Sequence, residues 1–200
     1  MRRTLMTAIL ATAIFAAAAS FALQLGDPPP ERDVKMKSVD GRNIAIADVA
    51  GARGTLVIFS CNHCPWVKAW EPRIADLGNA YAQRGIGVIA INANDPAGHK
   101  EDRFDHMVTR ARERGFQFPY VVDSGSRVAK AFGASRTPEV FLFDGAGRLV
   151  YHGAIDDNAQ DATAVKHHYL REALEAVATE KPVAVGQTKA LGCGIKFYGS

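Results

Sequence analysis

The run Thr55-Leu56-Val57-Ile58-Phe59, followed at once by Ser60-Cys61-Asn62-His63-Cys64-Pro65, leaves the surrounding fold little freedom. An unbroken apolar stretch of this length reads as a strand covered on both faces, as in the middle of a parallel sheet. Pro65 suits the first position of a helix. From there Val67, Trp70, Ile74, Leu77 and Tyr81 recur at helical spacing until Gly85. The two cysteines therefore lie where a buried strand turns into a helix, facing the helix's unpaired N–H groups and the positive end of its dipole. That environment favours thiolate, the reactive form of cysteine. Thiol redox chemistry is the first expectation.

The rest of the chain supplies an α/β layer pattern. Val34–Val39 and Arg42–Ile46 flank Asp40-Gly41, a hairpin signal. Ile86–Ile91 reads as a second buried strand, Asn92–Gly98 as a polar loop, and roughly His99–Arg114 as a polar, solvent-washed helix. Tyr120–Val122 is a third strand, with a short helix through Val128–Phe132. Glu139–Phe143 and Leu149–His152 alternate around a glycine-containing turn, and Leu170, Ala173, Leu174 and Val177 give a last helix its apolar face. A right-handed crossover of the parallel strands brings the loops after Phe59 and before Glu139 to one end of the sheet, where ligands of open α/β sheets bind.

The 200 residues suit one such domain preceded by an extension. Arg2 and Arg3, the alanine-rich stretch Leu5–Ala19 and the small residues up to Ala22 read as a signal peptide over residues 1–22. A retained membrane anchor is the alternative, but Thr7, Thr12 and Ser20 interrupt a stretch that is already short. Residues 23–181 then form the domain and 182–200 a tail carrying Cys193. The expected location is periplasmic or secreted. No basic stripe remains in the mature chain, so no nucleic-acid partner is expected. All three cysteines, Cys61, Cys64 and Cys193, lie in the mature part, and an odd number in an oxidising compartment favours exchange over a purely structural framework. A Cys61–Cys64 bridge closes too short a loop to restrain the unfolded chain.

Three ordered matches give a family resemblance. Cys61-x-x-Cys64-Pro65 follows a buried strand, Thr137-Pro138 immediately precedes the strand Glu139–Asp144, and Leu25-Gly26-Asp27-Pro28-Pro29 leads into the Asp40-Gly41 hairpin. Together they resemble the thioredoxin superfamily in its peroxiredoxin-like (redoxin, AhpC/TSA-related) branch. Asn92-Ala93-Asn94-Asp95, Asp156-Asp157-Asn158 and the tail Thr188-Lys189 through Gly192-Cys193-x-Ile195-Lys196 match the same group. The resemblance implies a central mixed sheet flanked by helices, with an N-terminal β-hairpin and a C-terminal tail. It also implies a cis Thr137–Pro138 bond against a Cys61/Cys64 dithiol and no cofactor. The partners implied are protein or small-molecule disulfides, thiols or peroxides, and an external thiol reductant. This chain departs from the pattern in three places. Neither register of the peroxidatic P-x-x-x-T-x-x-C motif is filled, Ser60 stands where thioredoxins have Trp, and Thr55–Phe59 lacks their buried acid.

Within the candidate site the order of attack stays open, because Cys61 matches the usual nucleophile of such pairs while Cys64 sits nearer the helix dipole. His63 either tunes a thiolate or is a solvated loop histidine. Arg136 either approaches the sulfurs, to hold an anionic sulfur or a peroxide oxygen, or faces solvent. Asn62, Asn94, Asp95 and the Asp156–Asn158 run read as turn and cap residues. Cys193 is a candidate resolving thiol. The competing class is a copper module resembling the Sco-type chaperones, with Cys61, Cys64 and Cys193 or His63 as soft donors for Cu(I), although those proteins carry one more residue between their cysteines.

Overall fold

A computed structural model describes residues 23–199; the expected signal peptide, residues 1–22, lies outside the described residues. Among these residues, no helix is long and apolar enough to cross a membrane. The elements run β1 (Met36–Ser38), β2 (Asn43–Ile44), β3 (Gly54–Ser60), α1 (Pro65–Ala82), β4 (Ile86–Asn92), α2 (Phe104–Glu113), β5 (Tyr120–Val122) and α3 (Arg127–Phe132). They continue as β6 (Arg136–Thr137), β7 (Glu139–Asp144), β8 (Leu149–Gly153), α4 (Tyr169–Ala178) and β9 (Cys193–Gly194). Seven strands form a mixed sheet in the order β2-β1-β5-β4-β3-β7-β8. Strand β3 lies parallel to β4 and antiparallel to β7, and β4 is parallel to β5. This is the thioredoxin-like arrangement that the resemblance implies.

Every residue of β3 is buried, as its uniform apolarity requires of a strand between two helical layers. Leu56 and Ile58 point to the face covered by Trp70, Ile74 and Leu77 of α1, Met107 of α2 and Leu170 and Leu174 of α4. Val57 and Phe59 point the other way, to Val128 and Phe132 of α3. There Phe59, Phe132 and Phe141 meet edge to face with centroids 5.1–5.7 Å apart, a geometry that contributes about 0.5–1.5 kcal/mol per pair beyond area burial. Because Phe59 is opposite Glu139 in the β3–β7 ladder, the end of β3 lies beside the loop that precedes β7.

Two expected elements differ. The first hairpin is shorter than its sequence signal, with the ladder limited to Met36–Lys37 against Asn43–Ile44. The expected helix over 99–114 is a 3-10 turn, Lys100–Asp102, then a break at Arg103 (φ −64, ψ 151) and only then α2. The break turns Asp102 inward, where it is 2% exposed, and α2 buries Met107 and Ala111 rather than being washed on all sides.

Candidate thiol site

Cys64 is the N-cap of α1, with extended backbone angles (φ −63, ψ 125) and Pro65 at the first helical position. Its carbonyl accepts the Lys68 N–H at 3.0 Å, which starts the helix. The sulfur lies 3.2 Å from the Thr137 carbonyl and 2.6 Å from the sulfur of Cys193. Cys61 packs beside it, 3.2 Å from the Thr137 hydroxyl. The Thr137–Pro138 peptide is cis. All three thiols are free. They form, with Val67, a small cluster of their own, in which Cys61 is 1% and Cys64 0% exposed.

The electrostatics separate the three sulfurs. Hydrogen bonding from Cys61, and then from Cys193, pulls the Cys64 thiol well below its ordinary value against the opposing effect of burial. Its place at a helix N-terminus acts in the same direction. Cys61 is pushed well up, first by its bond to Cys64, then by burial and by the Asp102 carboxylate. Cys193 is lifted to about 11 by burial and by its bond to Cys64. The Thr137 carbonyl accepts from a Cys64 S–H and repels a thiolate, so it opposes ionisation; an ionised Cys64 would instead accept from the neighbouring Cys61 and Cys193 thiols. Hydrogen bonding and the helix end both favour negative charge on Cys64 over Cys61.

His63 is not a solvated loop histidine. Its side chain is 12% exposed, and Nδ1 lies 2.6 Å from a fully buried oxygen-bearing group, the Asp102 carboxylate. The His99 ring stacks on it at 3.8 Å. Asp102 also accepts the Asn62 N–H at 2.6 Å and the Asn94 side-chain amide at 2.9 Å. Asn62 is more than a turn residue, since its amide donates to the Glu101 carbonyl and accepts from the Tyr120 hydroxyl. A buried acid thus reaches the dithiol from the 3-10 turn before α2, not from the strand before the cysteines.

Of the two readings of Arg136 the solvent-facing one holds: it is exposed, its guanidinium donates to the Gly192 carbonyl at 3.2 Å, and its charge reaches Cys193. Glu139, which sequence reading passed over, is 3% exposed and accepts the N–H groups of Ser135 and Arg136 at 2.8 and 2.9 Å, which fixes the loop carrying Thr137. Asp95 makes the expected turn bond to Ala97 N–H, whereas Asn94 accepts the Lys196 N–H and so holds the tail. Asp156 is buried on the Trp70 indole N–H at 2.7 Å and on Arg73, a core-locking role beyond a turn. Among the described residues, the donor group whose ligand atoms lie within 4.8 Å of one another is Cys61, His63 and Asp102. It mixes one thiol with nitrogen and oxygen, and of the expected copper donors it contains Cys61 and His63 but neither Cys64 nor Cys193. A groove of about 850 Å3 opens at the far end of the sheet beside Asp144 and Glu180, and no sulfur lines it.

Residues 25–152 match the profile of the AhpC/TSA family. The chain is similar to an uncharacterised conserved protein from Geobacillus kaustophilus of known crystal structure, with a TM-score of 0.83, 35% identity, and 89% of this chain and 94% of that one covered. Its fold matches that of a thioredoxin-like protein solved in the oxidised form, with a TM-score of 0.61, 20% identity, and 80% and 99% of the two chains covered. Among curated proteins, it is 28% identical over 116 residues to the thiol-disulfide oxidoreductase ResA of Halalkalibacterium halodurans, covering 58% of this chain and 61% of that one.

Proposed function

The chain belongs to the AhpC/TSA family, and from that premise we propose that it is an exported thiol-disulfide oxidoreductase working through Cys61 and Cys64. The observation that carries this reading is the Cys64 sulfur at the N-terminus of α1, its thiol held down by two neighbouring thiols. Its likeness to a protein named as a thiol-disulfide oxidoreductase supports the same chemistry. Export is supported by the sequence of residues 1–22.

The Cys64 thiolate attacks one sulfur of a substrate disulfide. A Cys64–substrate bond forms, the substrate disulfide breaks, and the first substrate thiolate leaves. Cys61 then attacks Cys64, releasing the second substrate thiolate and leaving a Cys61–Cys64 disulfide. Substrate gains two electrons and the protein loses two; an external thiol restores the pair. Cys61 must lose its proton for the second step, and His63, held by Asp102 within 4.8 Å of the Cys61 sulfur, is the base placed to take it. Thr137 offers its backbone to an extended substrate.

Of the two activities that the resemblance carries, disulfide exchange is the better supported: the P-x-x-x-T-x-x-C motif is unfilled, and the chain is similar to a protein named as a thiol-disulfide oxidoreductase.

Insulin reduction with dithiothreitol as donor tests the reading. Turnover should be lost in Cys61→Ser and in Cys64→Ser, and only Cys61→Ser should trap substrate as a mixed disulfide. Trapping by Cys64→Ser instead would reverse the assignment of the nucleophile. Full turnover in both variants would remove the pair from the mechanism.

A further inference from the structure

Both redox sulfurs are buried, and the chain's own tail lays Cys193 against Cys64. Strand β9 lies antiparallel on β6, with Cys193 opposite Thr137 and Gly194 opposite Arg136, and the Ile195 N–H continues the pairing to the Ser135 carbonyl at 3.0 Å. The tail is fastened beyond this ladder. Lys196 N–H reaches Asn94, Asp95 N–H reaches the Lys196 carbonyl, and Tyr198 N–H reaches the Ser126 hydroxyl. Ile195 is 8% exposed in the core. Gly192 lies so close to Thr137 that an added Cβ would stand 2.2 Å from its carbonyl oxygen.

The tail therefore does with Thr137 what an extended polypeptide substrate would do, and it delivers a thiol to the attacking sulfur. We propose that residues 192–196 are an internal substrate: Cys193 exchanges with the Cys61–Cys64 disulfide to give a Cys64–Cys193 disulfide, and an external polypeptide reaches Cys64 by replacing this strand. The proposal rests on the oxidoreductase reading above. In the exchange the Cys193 thiolate attacks Cys64, the Cys64–Cys193 bond forms, and the Cys61–Cys64 bond breaks. Cys61 leaves as a thiolate and takes up the proton that Cys193 gave to solvent. One disulfide replaces another, so no further oxidant or reductant is needed. Because the tail and a substrate use the same edge, the tail also shows the shape of the partner. It is an extended segment whose cysteine follows a residue too small to strike the Thr137 carbonyl and precedes, two positions on, an apolar side chain.

The protease cuts that trypsin makes give a direct readout. Cys61 and Cys64 share the peptide 54–68, and Cys193 lies on 190–196, so only a tail disulfide joins two peptides. Protein poised in glutathione buffers over a series of potentials, then acid-quenched and digested, should yield the joined pair over part of the series, with fragmentation placing the bond at Cys64. Cys193→Ser should abolish the joined pair and leave the internal Cys61–Cys64 link. Gly192→Ala keeps all three cysteines but pushes the strand off its edge. It should lower the joined fraction and speed iodoacetamide alkylation of reduced Cys64 by about tenfold, the change that follows when docking weakens by about 1.4 kcal/mol. A Cys61–Cys64 link at every potential with no joined peptides overturns the internal substrate and leaves the oxidoreductase reading standing. So does a joined pair bonded through Cys61, or unchanged alkylation in Gly192→Ala. No link of either kind overturns both.

Discussion

Replacing Asp102 by Asn probes the feature that most distinguishes this site, a buried carboxylate supplied from outside the strand that carries the cysteines. The substitution keeps the shape and removes the charge. Asp102 accepts from Asn62 N–H, from the Asn94 amide and from His63 Nδ1. An amide with its oxygen toward Asn62 turns its NH2 on the Asn94 NH2, so one donor loses its partner. Losing a hydrogen bond to a charged group and stranding a donor costs about 2–4 kcal/mol, which for a chain of this size is a fall in Tm of roughly 4–16 °C. The charge itself acts on Cys61. A carboxylate oxygen within 4.8 Å of its sulfur contributes about 3.5 kcal/mol at an effective dielectric constant near 20, so its removal should lower the Cys61 pKa by about two and a half. The clean measurement uses a Cys64→Ser, Cys193→Ser background, where Cys61 is the sole thiol. Its thiolate absorbance is titrated with Asp102 and with Asn. A Cys61 pKa that stays put or rises on losing Asp102, in protein that circular dichroism shows folded, would refute the electrostatic reasoning.

Three further outcomes are expected. Reduced wild-type protein should keep one thiolate, by ultraviolet absorbance, down to a midpoint near pH 4, the value to which the Cys64 thiol is lowered; Cys64→Ser should abolish that step. A lowered thiol makes the reduced fold gain stability as pH rises from the folded toward the unfolded pKa, and lose it as pH falls through the folded value. The reduced form should therefore unfold more readily in urea at pH 4 than at pH 7 by more than Cys64→Ser does. His63→Ala should make the couple more reducing by about 30 mV or more, equivalent to about 1.4 kcal/mol or more; an unchanged potential in a glutathione titration would leave His63 with no part in tuning. Arg110→Ala should destabilise by about 3–5 kcal/mol in denaturant unfolding, because its two 2.7 Å bonds hold the carboxylate of Glu71, which is 2% exposed. Arg114, at 2.8 Å from the same carboxylate, places the loss toward the lower end.

What the sequence made legible is what local periodicity controls. β3, β4, β5, α1, α4 and the β7–β8 hairpin all stand where alternation, helical spacing or turn residues put them. Cys64 at the helix N-cap follows from Pro65 alone. The cis Thr137–Pro138 bond was reachable only through the resemblance. The rest depends on contacts that no local pattern carries: Asn62 and Asp102 are 40 positions apart, and Cys64 and Cys193 are 129 apart. Asp102 was hidden for a further reason. It sits in Lys100-Glu101-Asp102-Arg103, a charged run whose neighbours are solvated, and nothing in composition separates the one carboxylate that turns inward. Asn94 looked like turn chemistry because asparagine before an Asp-Pro pair usually is, and its reach to Lys196 needs the tail already folded back.

The arrangement also explains why the sulfurs differ when their surroundings are nearly the same. All three are close together and two are fully buried, and burial alone would raise every one of them. What breaks the degeneracy is position. Cys64 stands beside two thiols able to donate to it once it is ionised, at the positive end of α1, while Cys61 faces the Asp102 carboxylate. A charge placed on Cys64 is therefore shared by its neighbours, and one placed on Cys61 is opposed by Asp102. A sulfur that bonds to Cys64, whether from Cys61, the tail or a substrate, competes for the same central atom, so only one of those disulfides exists at a time. The tail matters most in the reduced protein, where it supplies one of the two S–H groups that hold the Cys64 charge. A substrate that replaces it brings a disulfide and no S–H donor, which leaves the Cys64 thiolate less stabilised and more nucleophilic at the moment of contact.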